Sequence, residues 1–250
     1  STPTAILFSA GNGDGIFAIA TSGAVTIADA TNLDFETTAS YTLTIVAYDA
    51  SSSDVADITI SITAVNDAPT VTSAQAAVST AEDAVYSLDV SANFDDEDTA
   101  DTLSFTATGM PSTMSMSTAG VLSGTPLNAD VGDHTVIVTA TDDGTGTLTV
   151  TDTFVLTVTN TNDAPTVTSA LSAASTAEDG SYSLDVSSMC TDVDVGDALA
   201  YTMSGAPSTL SIASGTISGT PLNADVGDHT ITVTCTDDSS AAATASDSYV

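Results

Sequence analysis

The sequence predicts an all-β chain of tandem Greek-key β-sandwich units in an elongated array. Three observations carry this: long segments of the chain recur, apolar residues alternate with polar ones at period two, and no stretch sustains a helical period. Val-Asn-Asp-Ala-Pro-Thr-Val-Thr-Ser-Ala from Val65 returns at Thr161 with Thr in the first place. Tyr-Ser-Leu-Asp-Val at Tyr86 returns at Tyr182, 96 residues on. Gly-Thr-Pro-Leu-Asn-Ala-Asp-Val-Gly-Asp-His-Thr at Gly124 returns at Gly219, 95 residues on, so one residue is lost in the turn between Met116 and Gly124.

In chain order, the first strand is Ala5–Phe8; Tyr41, Leu43, Ile45 and Ala47 then share one strand face, and Ile58, Ile60 and Ile62 the next. The matching sets in the second unit are Val136, Val138 and Ala140, then Phe154, Leu156 and Val158. Thr, Ser and Val fill the alternate positions, as suits a pleated surface half in water, and Gly, Asn, Asp and Pro cluster between the runs. Seven or so short strands per repeat describe a sandwich. The units are expected at 1–67, 68–163 and 164–250. Unit one is expected to lack its first two strands and unit three, ending at Tyr249-Val250 where Phe154-Val155 opens unit two's last strand, to lack its last. The simplest expectation is a segment of a longer repeat protein; alternatively, strands supplied by neighbouring copies would build a fibre by strand donation.

The charge balance narrows the function. The chain has 33 acids and no Lys or Arg, and only Glu36, Glu82, Glu97 and Glu178 among the acids are not Asp. A net charge of −33 argues against nucleic acid and anionic lipid as partners. Asp in such excess favours tight turns and hard-cation ligation. A hydrophobic content of 42% leaves enough apolar material for cores, so disorder is not the expectation. No apolar run is long enough to cross a membrane as a helix.

Unit one resembles a cadherin repeat in wording: Gly11-Asn12, Gly15-Ile16-Phe17, Gly23-Ala24-Val25, Leu33-Asp34-Phe35-Glu36, Tyr41-Thr42-Leu43 and Ala47-Tyr48-Asp49 fall in that family's order. Val65-Asn66-Asp67-Ala68-Pro69 then looks like its inter-repeat linker. Units two and three resemble the dystroglycan-type and bacterial cadherin-like branch, with Ser-Gly-Thr-Pro and Ala-Asp-Val-Gly-Asp in place of Leu-Asp-x-Glu.

The resemblance implies Ca2+ at the joints. For the first joint it implies Asp34 and Glu36 from unit one, Asn66 and Asp67 from the linker, and Asp96, Asp98 and Asp142 from unit two. For the second it implies Glu82 and Asp130 from unit two, Asn162 and Asp163 from the linker, and Asp192, Asp194 and Asp237 from unit three. The acid usually found two residues before the linker Asn is replaced by Ala64 and Asn160, and unit one has no counterpart of Glu82. The first joint is thus expected to hold fewer ions. Gly11-Asn12-Gly13-Asp14-Gly15 has part of an EF-hand loop's pattern, but without flanking helical periods or a closing Glu it reads as a turn.

Cys190 and Cys235 precede Asp192 and Asp237 by two residues each, so a shared metal site would put both cysteines at one pole. Their equivalents in unit two are Phe94 and Ala140, a large-small pair of the kind that packs in a core. A disulfide is the favoured reading and two buried thiols the alternative. No enzyme is expected: His134 and His229 occupy the same place in two repeats, and no nucleophile-base set can be drawn around them. The expected function is an extracellular or cell-surface Ca2+-rigidified stalk or filament element, with neighbouring repeats or further copies as partners. A glycan- or protein-binding module, or a passive spacer of a larger surface enzyme, are the alternatives.

Overall fold

The computed structural model describes residues 3–239 and 241–250. They fold almost entirely as β-strands joined by turns, with 3-10 turns at Ser91–Asn93, Asn128–Asp130 and Asn223–Asp225. Three hydrophobic cores follow one another along the chain.

Unit two is the most complete. One sheet has the order Ser104–Thr108, Gly132–Thr141, Thr149–Thr159, Val78–Ala81, the last strand running parallel to its neighbour and the others antiparallel. The other sheet joins Met114–Met116, Val121–Gly124 and Tyr86–Asp89, and Thr70–Val71 pairs with Phe94–Asp95 beside it. Between Thr70–Val71 and Val78–Ala81 the chain changes sheets. Asp152 holds that crossing: its buried carboxylate accepts the Gln75 N–H at 2.7 Å. Inward residues of both sheets meet in one core that includes Val90, Phe94, Phe105, Leu122, Val136 and Leu156. Phe94 and Phe105 pack edge to face, 5.4 Å between centroids.

Unit three repeats the plan with Ala200–Ser204, Ile231–Thr236 and Thr244–Tyr249 in one sheet. Tyr182–Asp185, Thr216–Gly219 and Leu210–Ala213 form the other, and Thr166–Val167 pairs with Cys190–Thr191. Asp247 accepts the Leu171 N–H at 2.6 Å, the counterpart of Asp152 and Gln75. The lost residue lies in the hairpin after Leu210–Ala213. There Ser214 and Gly215 (φ 46° and 75°) make a two-residue turn between Ala213 and Thr216, where unit two has Thr118 to Gly120 between Ser117 and Val121. Cys190 and Cys235 form a disulfide (Cα–Cα 6.6 Å) in the places of Phe94 and Ala140. The expectation that unit three lacks its last strand is corrected: Thr244–Tyr249 pairs along its whole length with Ile231–Thr236. Its alternate residues are Ala245, Asp247 and Tyr249, and an Asp on that face hides the apolar period.

Unit one pairs Ala5–Ala10, Ser40–Tyr48 and Ser53–Ser61 in one sheet and Phe17–Ile19 with Val25–Ile27 in a second. Its fully buried core is small: Ile16, Phe17 and Leu43. The expected face of Tyr41, Leu43, Ile45 and Ala47 is only partly realised. Val46 from the opposite face is buried and Ile45 is half-buried, in a strand whose neighbour bulges at Ser9 between Phe8 and Ala10. The Gly11–Gly15 segment is a turn, as expected; the Asn12 amide bridges the Phe17 N–H and carbonyl (2.9 and 2.7 Å).

Candidate metal centres between the units

The second joint gathers oxygens from both units around an extended linker. Glu82 opens the turn that follows the strand Val78–Ala81 and is 2% exposed. One of its oxygens accepts the Thr161 N–H at 2.8 Å; the other, Oε2, is buried with no hydrogen-bond partner. Carboxylate oxygens of Glu82, Asp163 and Asp194 lie within 4.8 Å of one another. The chain is wired to hold them there. Asp194 Oδ2 accepts the Asp163 N–H at 2.7 Å, and Asp192 Oδ1 accepts the Asp194 N–H at 3.0 Å. Asn162 donates to Asp237 Oδ2 at 3.2 Å, leaving its own buried Oδ1 unpartnered. Asp192 Oδ2 and Asp197 Oδ2 are buried and unpartnered too, and Asp192, Asp194 and Asp197 form a second group within 4.8 Å. Burial, together with the charges of Asp238, Asp194, Asp192 and Asp237, pushes the Asp197 carboxyl above the usual carboxylate range.

The first joint repeats the wiring. Asp98 Oδ2 accepts the Asp67 N–H at 2.7 Å, Asp96 Oδ1 accepts the Asp98 N–H at 3.0 Å, and Asn66 donates to Asp142 Oδ2 at 3.1 Å. Asp142 is buried and accepts the N–H groups of Gly144 and Leu148. Asp96 Oδ2 and Asp101 Oδ2 are the buried unpartnered atoms here. Gly144 is needed for space, since a Cβ there would overlap Asn66 Oδ1 and Asp101 Oδ2.

The unit-one side of this joint is looser. Asp34, Glu36 and Glu97 group within 4.8 Å beside an open cavity lined also by Leu33, Phe35, Ile62 and Asp67. Burial, and then Asp98 and Asp34 nearby, push the Glu36 carboxyl up. Asp34 is instead held low by the Thr37 hydroxyl and N–H at 2.7 and 3.0 Å, because it closes its own turn.

The structure therefore brings Asp34, Glu36, Asn66, Asp67, Asp96, Asp98 and Asp142 to the first joint, and Glu82, Asn162, Asp163, Asp192, Asp194 and Asp237 to the second. Asp130 is the residue it does not bring. Its Oδ2 accepts the Thr113 hydroxyl (2.7 Å) and the Leu127 N–H (3.0 Å), and Asp225 repeats this with Thr209 and Leu222 at 2.8 and 2.9 Å. The residue of that turn which reaches the joint is Asn128, donating to Asp194 at 2.9 Å. Asn128, Glu97, Asp101 and Asp197 are the joint residues sequence reasoning missed. Asp101 and Asp197 carried a signal, each lying five residues beyond the first Asp of its Asp-x-Asp pair.

His134 and His229 contact the Asp130 and Asp225 carbonyls at 2.6 and 2.8 Å and so brace the same turns. The disulfide ties together the strands that lead into Asp192 and Asp237. At both joints the convergent donors are carboxylate and amide oxygens, with no Lys or Arg in the chain to balance them. Six to eight oxygens in irregular geometry suit Ca2+, whereas nothing here offers the nitrogen or sulfur that softer metals select. Buried carboxylate oxygens without partners are costly, and a hard cation is the group that would satisfy several at once.

The family model described as "Putative Ig domain" matches residues 68–159 and again 164–250. Among solved structures, the chain is similar to the extracellular cadherin domains 1–5 of protocadherin gamma B2 (TM-score 0.68, 20% identity, 98% of this chain and 52% of that one). It is similar also to mouse cadherin-23 EC22-24 (0.66, 18%, covering 98% and 84%) and mouse protocadherin-24 EC1-3 (0.61, 21%, covering 100% and 89%). The chain spans about half the length of the protocadherin gamma B2 structure. At these identities the likeness is one of fold: cadherin-like sandwiches in tandem. No curated protein matches the chain in sequence.

Proposed function

Because the chain belongs to the family described as "Putative Ig domain" and folds as cadherin-like sandwiches in tandem, we propose that it is an extracellular, Ca2+-rigidified structural or adhesive element of a stalk or filament. The units of this reading are 1–67, 68–163 and 164–250. The observation that carries it is Glu82, which has one buried oxygen without a partner and whose carboxylate groups with those of Asp163 and Asp194 across the second joint.

Bound Ca2+ would supply the positive charge that the chain lacks. Asp34, Glu36, Asn66, Asp67, Asp96, Asp98 and Asp142 would hold it at the first joint; Glu82, Asn162, Asp163, Asp192, Asp194 and Asp237 at the second. Unit, linker and next unit each contribute ligands, so the metal would fix the angle between units. Without it, like charges within a few ångströms repel by about 1 kcal/mol per pair in water and several times more near a protein surface, and the joint flexes. The disulfide supports an oxidising compartment. The partners in this reading are neighbouring repeats, further copies of the chain, or a surface protein or glycan, and its role is mechanical rather than catalytic.

Calcium titration of the chelator-treated chain by calorimetry tests the reading. Saturable binding of more than one ion, with Kd near the roughly 10⁻⁴–10⁻³ M of extracellular modules, is expected. The absence of binding at several millimolar calcium would overturn it.

A further inference from the structure

We propose that Asp101 and Asp197, acids outside the ligand set described above, are direct ligands of an ion held inside each joint, on the side of the linker facing the following unit. The proposal rests on the calcium reading and adds to it a defined inner site. At the second joint the donors are Asp197 Oδ2, Asp192 Oδ2 and Asn162 Oδ1, all buried and without hydrogen-bond partners, joined by an oxygen of Asp194. At the first joint the corresponding buried, unpartnered atoms are Asp101 Oδ2 and Asp96 Oδ2, with Asn66 Oδ1 close to Asp101 Oδ2.

Three features bring these residues together. First, carboxylate oxygens of Asp192, Asp194 and Asp197 lie within 4.8 Å of one another. Two oxygens on one Ca2+ can be at most about 5 Å apart, twice the 2.3–2.6 Å bond. Second, the linker amide is oriented by its other end. The Nδ2 of Asn66 and of Asn162 donates to Asp142 and Asp237 respectively, which leaves Oδ1 as a free acceptor beside acceptors. Third, the first joint brings two of the corresponding atoms together. Gly144 stands where unit three has Ser239, and a Cβ there would overlap both Asn66 Oδ1 and Asp101 Oδ2, so these two oxygens converge on one spot.

Turn-closing acids look different. Asp89 and Asp185 accept the N–H groups of Ser91 and Ser187, whereas Asp101 Oδ2 and Asp197 Oδ2 accept from nothing.

The test is Asp197→Asn and Asp101→Asn in the whole chain, each measured by calcium calorimetry and by thermal unfolding in chelator and in millimolar calcium. The expected result is loss of one ion, or at least tenfold weaker binding of one class of sites, in each variant. It comes with an inversion of sign in stability. Removing an uncompensated carboxylate raises the melting temperature in chelator, and removing a ligand lowers it in calcium. An acid with a purely structural role lowers it in both. Unchanged calcium binding in variants of a wild type that does bind would overturn the assignment and leave the calcium reading standing. A variant that fails to fold in chelator would overturn it as well, by showing that the carboxylate supports the fold. A wild type that binds no calcium would remove both.

Discussion

Asn128, on unit two's 3-10 turn, donates to Asp194 of unit three at 2.9 Å. At the first joint the side chain from unit one that faces the equivalent Asp98 is Glu36, an acid against an acid. This single contact at the second joint thus holds without an ion, whereas the Glu36–Asp98 contact at the first needs a proton or a cation between the two acids. Asn128→Asp should turn one kind of joint into the other. In chelator the loss of a hydrogen bond to a carboxylate is expected to cost roughly 1.5–3 kcal/mol, read from urea unfolding. In calcium most of that cost should be recovered.

Glu82→Gln addresses the buried acid itself. The amide keeps the shape and can still accept the Thr161 N–H, but it removes a charged ligand. Calcium binding at the second joint is expected to weaken tenfold or more, about 1.4 kcal/mol or above, with no loss of stability in chelator. Calorimetry beside thermal unfolding checks both halves.

The disulfide closes a loop of 45 residues in sequence separation. On the chain-entropy estimate, replacing both cysteines with Ser costs unit three about 4 kcal/mol. Unit two has Phe94 and Ala140 in those places and should be untouched. Differential scanning calorimetry is expected to show one transition moving down while another stays.

Asp130 is expected to behave as a turn brace and not a ligand. Asp130→Ala should destabilise unit two by about 2 kcal/mol, from the lost hydrogen bonds of a buried carboxylate, and leave calcium affinity within twofold. The Leu127 N–H and the Thr113 hydroxyl, with His134 nearby, hold its carboxyl below the usual range. A lowered pKa contributes stability that is full above the ordinary Asp value near 4 and is lost as pH falls through the folded value. The stability gap between wild type and variant should therefore close on acidification, measured by urea unfolding across that range.

Asp130 also marks where the sequence stops being legible. The repeat length, the sandwich, the linkers and the Asp-x-Asp pairs were readable because each is a pattern in one dimension. Whether Asn128 or Asp130 turns toward the joint depends on which one closes the 3-10 turn, and both recur in the Asn-Ala-Asp of each repeat. Asp197 was overlooked for a related reason: a third acid after Asp-x-Asp looks like turn polarity until its oxygen is seen to be buried and unpartnered. Unit three's last strand was hidden by Asp247, whose inward carboxylate serves the Leu171 N–H and breaks the apolar alternation. In unit one, the burial of Val46 goes with a bulge at Ser9 in the neighbouring strand, which no periodicity in its own strand announces.

Small-angle scattering of the whole chain, followed from millimolar calcium into chelator, tests the central claim most directly. Metal-stiffened joints predict an extended, narrowly distributed shape in calcium that broadens and shortens on chelation, with a fall in melting temperature. An unchanged profile and melting temperature would contradict the account and leave the joint acids as solvated turns.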